Sequence, residues 1–211
     1  MTALIVCSGS IKDYSHYEKY FKWAKAVICV DGGAKYLRKF GIVPDVLIGD
    51  LDSISDEDLD YLVSMNVKIM KYPIQKDMTD TEIAVDYAVD NGFKEIVIIG
   101  GIGTRLDHTL ANILLVKKLL DKGVKCTFVN ENNELTLIND RVEIEKEKDV
   151  KVTLLPLTDV VEGITTKGLY YELNCEDIVM GSSRGVSNEF SDDIAEVSVK
   201  KGILIVIKSK D

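Results

Sequence analysis

Asp50 and Asp52 flank Leu51 directly after an apolar run. In extended backbone, residues two apart project to the same side, so both carboxylates could reach one point. Two close carboxylates repel unless a cation neutralises them. Mg2+ suits that role, since it takes oxygen ligands from one or two carboxylates together with water and substrate phosphates. Asp-x-Asp could equally open the acidic helix beginning at Asp56, with Ser53 or Ser55 as its cap. A second acidic turn holds Asp77, Thr79 and Asp80. Asp80 could bind metal or accept a proton, while Thr79 or Asp80 would also serve as an N-cap. Lys76 adjoins this cluster, and a cation beside carboxylates in a polar loop suits a phosphate-bearing ligand.

Gly100, Gly101 and Gly103 follow the apolar run Ile96 to Ile99 and precede a helical pattern. Their backbone could approach a phosphate or nucleoside with no Cβ in the way. Neither GxGxxG nor GxxxxGK[ST] occurs, so neither a dinucleotide fingerprint nor a P-loop is present. Arg105, Asp107 and His108 bring polar groups to the same helix entrance, with Asn112 one turn beyond.

These residues need elements to position them. Through about residue 130, short runs rich in Val and Ile alternate with segments of helical spacing, the pattern of parallel strands joined by helices. Strands are expected near Ala3-Val6, Ala26-Val30, Val46-Ile48, Val67-Met70, Ile96-Ile99 and Cys126-Val129. Helices are expected around Tyr17-Lys25, Ala34-Phe40, Asp56-Asn66, Thr81-Asn91 and His108-Lys122. Gly41, Gly92 and Gly123 follow helical runs, where a left-handed residue ends a helix. Such a doubly wound sheet binds ligands beyond the carboxyl ends of its strands, where Asp31, Asp50, Lys76 and Gly100 all fall. From about Asn132 only short strand-like runs remain, such as Glu134-Ile138, Val150-Leu155, Gly168-Leu173 and Ala195-Val199. The expected organisation is an α/β domain over 1-130 and an all-β sandwich over 131-211.

With 46% hydrophobic residues in 211, the chain can bury a real core. Thirty-five acidic residues against twenty-six basic give a net charge of -9, which disfavours nucleic acid as a partner. The apolar run at the N-terminus is too short for a signal sequence or a membrane span, and no basic segment precedes it. Cys7, Cys29, Cys126 and Cys175 are dispersed and form no CxxC pair, as expected of a reducing compartment; the chain reads as cytoplasmic.

Five segments together resemble the thiamine pyrophosphokinase family over nearly the whole chain: Asp31-Gly-Gly-Ala34, Pro44-Asp45 followed by Ile48-Gly-Asp-Leu-Asp-Ser53, Lys76-Asp-Met-Thr-Asp80, Gly103-Thr-Arg-Leu-Asp-His-Thr-Leu-Ala-Asn112, and Gly185-Val-Ser-Asn-Glu-Phe190. The resemblance implies a transferase that moves pyrophosphate from ATP to the thiamine hydroxyl and releases AMP. It also implies a homodimer whose interface contributes the thiamine site. By position, Asp50, Asp52 and Asp80 correspond to magnesium ligands and catalytic residues, and Asp31, Lys76, Asp77, Arg105, Asp107 and His108 to ATP-side residues. Ser187 and Asn188 correspond to the thiamine segment, with Phe190 the nearest aromatic for stacking on the vitamin. Some family members carry Gln where Lys76 stands. Two other classes compete with this reading. A metal-dependent phosphohydrolase would use the same carboxylates with water as nucleophile, and a binding module would hold nucleotide or vitamin without chemistry.

Overall fold

The computed structural model describes residues 1–211. The chain divides into two compact units, Met1–Glu131 and Asn132–Asp211.

In the first unit, six strands alternate with five helices: β1 (Thr2–Val6), α1 (Tyr14–Trp23), β2 (Ala26–Val30), α2 (Ala34–Phe40), β3 (Val46–Gly49), α3 (Asp56–Ser64), β4 (Lys68–Lys71), α4 (Asp80–Asp90), β5 (Glu95–Ile99), α5 (Leu106–Asp121) and β6 (Lys125–Val129). The strands lie in the order β4-β3-β2-β1-β5-β6, and every pairing among them is parallel. Successive strands step outward from β1 on one side, and β5 then starts the other side, so the winding reverses between β1 and β5. Leu4 and Val6 on one face of the sheet join a cluster with Tyr17 of α1, Leu37 of α2 and Leu62 of α3. Ile5, Ile28, Ile48 and Ile98 are also fully buried and belong to the opposite face, where α4 crosses β1, β2 and β3, and α5 lies against β6. Each such buried aliphatic side chain stabilises the sheet by about 1.5–3 kcal/mol relative to exposure. Burial on both faces is why these strands read as unbroken apolar runs.

Gly41 caps α2 in the left-handed region, and Gly92 and Gly123, also left-handed, follow α4 and α5. α1 begins earlier than its apolar spacing suggests, because the Asp13 carboxylate accepts from the N–H of Ser15 and fixes the helix start there.

The second unit contains β7 (Asn133–Ile138), β8 (Arg141–Glu145), β9 (Lys151–Pro156), β10 (Val160–Lys167), β11 (Asn174–Val179), β12 (Ile194–Ser198) and β13 (Leu204–Ser209). β13 pairs antiparallel with β7 and with β9. A four-stranded antiparallel sheet runs β11-β10-β12-β8. Side chains from both sheets, among them Ile138, Leu154, Ile164, Ile178, Val197 and Val206, form one buried cluster, the core of a sandwich. The expected strand at Gly168-Leu173 is instead a connection before β11. Leu169 and Leu173 enter the core from irregular backbone, held by the bridge of Leu169 to Phe190 and the bond from Leu173 N–H to Thr166 Oγ1. No helix of the chain is long and apolar enough to cross a membrane.

Candidate active site

A cleft of about 600 Å3 opens in the first unit, lined by residues that follow β1, β2, β3, β4 and β5. It lies where the winding reverses, the usual ligand position in a doubly wound sheet.

The acidic centre is built by two tight backbone turns. Asp31 follows β2 with φ 42°, and its carboxylate Oδ1 accepts the N–H of Leu51 at 3.0 Å. Leu51 itself has φ 70°. The two aspartates around it therefore do not converge through extended backbone, as their spacing suggested. They converge through a turn in which Asp52 donates its N–H to Asp50 Oδ1 at 3.1 Å. Gly49 is required beside them, because a Cβ there would lie 1.9 Å from Asp31 Oδ1. Carboxylate oxygens of Asp31, Asp50 and Asp52 come within 4.8 Å of one another.

Lys76 closes the other side of Asp50. Its ammonium lies 3.1 Å from Asp50 Oδ2, 3.0 Å from Asp80 Oδ1 and 3.1 Å from the carbonyl of Pro73. Ser55 caps α3 and Thr79 caps α4, accepting from the N–H groups of Asp58 and Glu82. Neither cap consumes Asp50, Asp52 or Asp80, so the capping reading and the ligand reading apply to different residues. Four carboxylates against one ammonium, with oxygen donors only, fit a hard divalent cation.

Charge perturbs each group differently. Burial pushes the Asp31 carboxyl up to about 6 against the lowering effect of the Leu51 N–H, with the charges of Asp80, Asp50 and Asp52 adding to the rise. The Asp52 N–H and the Lys76 ammonium hold Asp50 below the usual range. The charge of Asp50 in turn raises Asp52. Cys7 also lines the cleft, but burial pushes its thiol up to about 12, which disfavours the thiolate at neutral pH.

The opposite wall is the loop after β5. Gly100 has φ 67°, and a Cβ there would lie 2.4 Å from the carbonyl of Cys7, so this loop can pass β1 only without a side chain. Asn112, buried on α5, donates Nδ2 to the Gly101 carbonyl at 2.7 Å. Arg105 and His108 line the cleft. Arg105 pairs with Asp107 at 2.6 Å, and neither Asp107 nor Asp77 lines the cleft. Ser8, Gly9 and Ile74 line it without having been singled out from sequence. Ser8 and Gly9 had a signal, their position just past the end of β1.

In the second unit Asn188 is buried, and its side-chain amide is engaged on both sides. Oδ1 accepts from the N–H groups of Tyr171 and Glu189, and Nδ2 donates to the Tyr171 carbonyl. Ser187 is exposed with φ 59° and donates its N–H to Thr153 Oγ1. Phe190 is half-buried and packs against the sandwich core, whereas the adjacent rings of Tyr170 and Tyr171 are 69% and 66% exposed.

Comparison with known proteins matches residues 17–128 to the family model described as thiamin pyrophosphokinase, catalytic domain, and residues 140–204 to thiamin pyrophosphokinase, vitamin B1 binding domain. The chain belongs to the thiamine pyrophosphokinase family. A thiamine pyrophosphokinase of Bacillus subtilis is 32% identical over 186 residues, covering 87% of each chain. Crystal structures of family members from Bacillus subtilis and Geobacillus thermodenitrificans superpose with TM-scores of 0.90 and 0.86 at 29% and 30% identity. They cover all of this chain and 100% and 98% of theirs. Apart from Cys7, Ser8 and Gly9, the residues lining the cleft fall within the segment matched to the family's catalytic domain, and Ser187 and Asn188 fall within the segment matched to its vitamin-binding domain. The known reaction of the family is pyrophosphate transfer from ATP to thiamine.

Proposed function

We propose that this chain catalyses that transfer in its first-unit cleft, using Mg2+ held by Asp50, Asp52 and Asp80; Asp31 meets Asp50 and Asp52 directly, and Asp80 joins them across Lys76. The observation that carries the reading is the convergence of aspartates at the strand ends of a segment matched to the family's catalytic domain. The bound cation would supply charge neutralisation on the ATP phosphates. The thiamine hydroxyl oxygen attacks the β-phosphorus of ATP in line, the bond from that phosphorus to the oxygen of the α-phosphate breaks, and AMP departs. The proton of the attacking hydroxyl passes to a carboxylate, for which Asp80 and Asp52 are the candidates.

Arg105, His108 and Lys76 line the cleft, and in this reading Arg105 and His108 contact the triphosphate from one wall and Lys76 from the acidic side. Asp31, Asp77 and Asp107 complete the ATP-side assignment, Asp107 by orienting the Arg105 guanidinium. Ser187 offers an exposed hydroxyl to thiamine, Asn188 shapes the adjacent loop through Tyr171, and Phe190 backs it from the core. The homodimer and the cytoplasmic location belong to the same reading. The first is supported by the family likeness, the second by four free cysteines.

The test is incubation of purified protein with ATP, Mg2+ and thiamine, following AMP and thiamine diphosphate by chromatography. Both products should appear together and vanish without thiamine or with EDTA. ATP consumption without thiamine would replace this reading with a phosphohydrolase.

A further inference from the structure

We infer that Lys76 is an internal counter-ion that competes with the divalent metal for Asp50 and Asp80, so that metal enters by displacing its ammonium. The inference rests on the metal reading above and deepens it.

The Lys76 ammonium donates hydrogen bonds to Asp50 Oδ2 and the Pro73 carbonyl and forms an ion pair with Asp80 Oδ1 at 3.0 Å. The side chain is only 13% exposed, which marks a held position for a residue type that usually extends into water. Asp80 Oδ1 is buried without a hydrogen-bond partner, and the ammonium 3.0 Å away is the cation paired with it. That oxygen needs a cation beside it at all times, because a buried carboxylate oxygen without a partner is costly. A metal ion ligated by the same Asp80 and Asp50 oxygens would compete with the ammonium for them, because two cations cannot share the same two oxygens at contact distance. Lysine suits the exchange, being a point charge on a flexible four-carbon stem that can swing to a phosphate oxygen. Lys118 provides an internal contrast. It bridges Glu82 and Asp86 at 3.0 and 2.7 Å in the same chemical manner, and it does not line the cleft.

Competition of this kind is a coupling free energy between two ligands of one site, and it works in both directions. Removing the lysine charge should tighten metal binding, and adding metal should release the lysine. The experiment is calorimetric titration of the full chain with MnCl2 in the absence of nucleotide, comparing wild type, Lys76→Gln, Lys76→Arg and Lys118→Gln. Lys76→Gln should bind Mn2+ more tightly on the order of tenfold, while Lys76→Arg and Lys118→Gln keep the wild-type affinity. A companion measurement needs no variant: acetylation of Lys76 by acetic anhydride, quantified by peptide mass spectrometry, should accelerate when Mn2+ is added to wild type. Mn2+ affinity unchanged or weakened in Lys76→Gln overturns the inference while leaving the metal site standing. A wild type that takes up no Mn2+ overturns both. Should Lys76→Gln fail to fold, the acetylation decides, and no acceleration by Mn2+ overturns the inference.

Discussion

At the residue scale the site depends on two backbone conformations that ordinary side chains avoid. Asp31 and Leu51 both have positive φ, and both lie where the carboxylates meet. Such strain persists only where surrounding structure enforces it. Gly49 permits the enforcement, so Gly49→Ala should push the Asp31 carboxylate aside and reduce AMP formation while circular dichroism shows the fold retained. Asp50→Asn and Asp80→Asn should each lower turnover roughly a hundredfold or more, the scale of removing a preorganised electrostatic partner from an active site. Circular dichroism should show the fold retained in both variants, since Asp50 lies just after β3 and Asp80 at the start of α4. Near-normal turnover in either variant would remove it from the metal set. The aspartates that line the cleft could be singled out by type and spacing, but the geometry joining them could not. A Leu at φ 70° has no sequence signal, and the double bridge of Lys76 depends on bringing the end of β3 to the start of α4.

At the element scale, helix starts set the positions of functional side chains. Thr79 caps α4 one residue before Asp80, so Thr79→Ala should cost about 1 kcal/mol in urea denaturation and also weaken metal binding. Ser55→Ala at the start of α3 should cost a similar amount, about 1 kcal/mol, with metal binding untouched, since Ser55 serves only the helix and Asp58. Asn112 ties α5 to the loop after β5, and Asn112→Ala should raise the KM for ATP more than it lowers kcat, because the lost bond positions a binding wall. The α/β elements were legible because strands buried on both faces read as apolar runs and glycines close the helices. The β-rich half was less so: Leu169 and Leu173 are apolar and buried, yet they reach the core from a connection, and periodicity cannot separate that from a strand.

At the scale of the whole molecule, residues from five separate segments must meet for the cleft to exist, and the acidic excess that disfavours polyanions sets how the chain responds to acid. Glu131 closes the first unit. Burial alone would raise its carboxyl, but backbone N–H groups, that of Lys12 foremost, outweigh burial and hold it below its ordinary 4.5. The bond from Lys12 N–H to Glu131 Oε1 measures 2.7 Å and fastens the segment after β1 to the segment after β6. A carboxyl whose folded pKa lies below its unfolded one contributes stability that is complete above the unfolded value and is lost as pH falls through the folded one. Glu131→Gln should therefore destabilise the protein at pH 7, and the gap between wild type and variant should close as the pH drops below 4.5. Urea denaturation of both proteins from pH 7 downward reads the gap directly. A gap that stayed constant with pH would mean that Glu131 acts through packing and not through its charge.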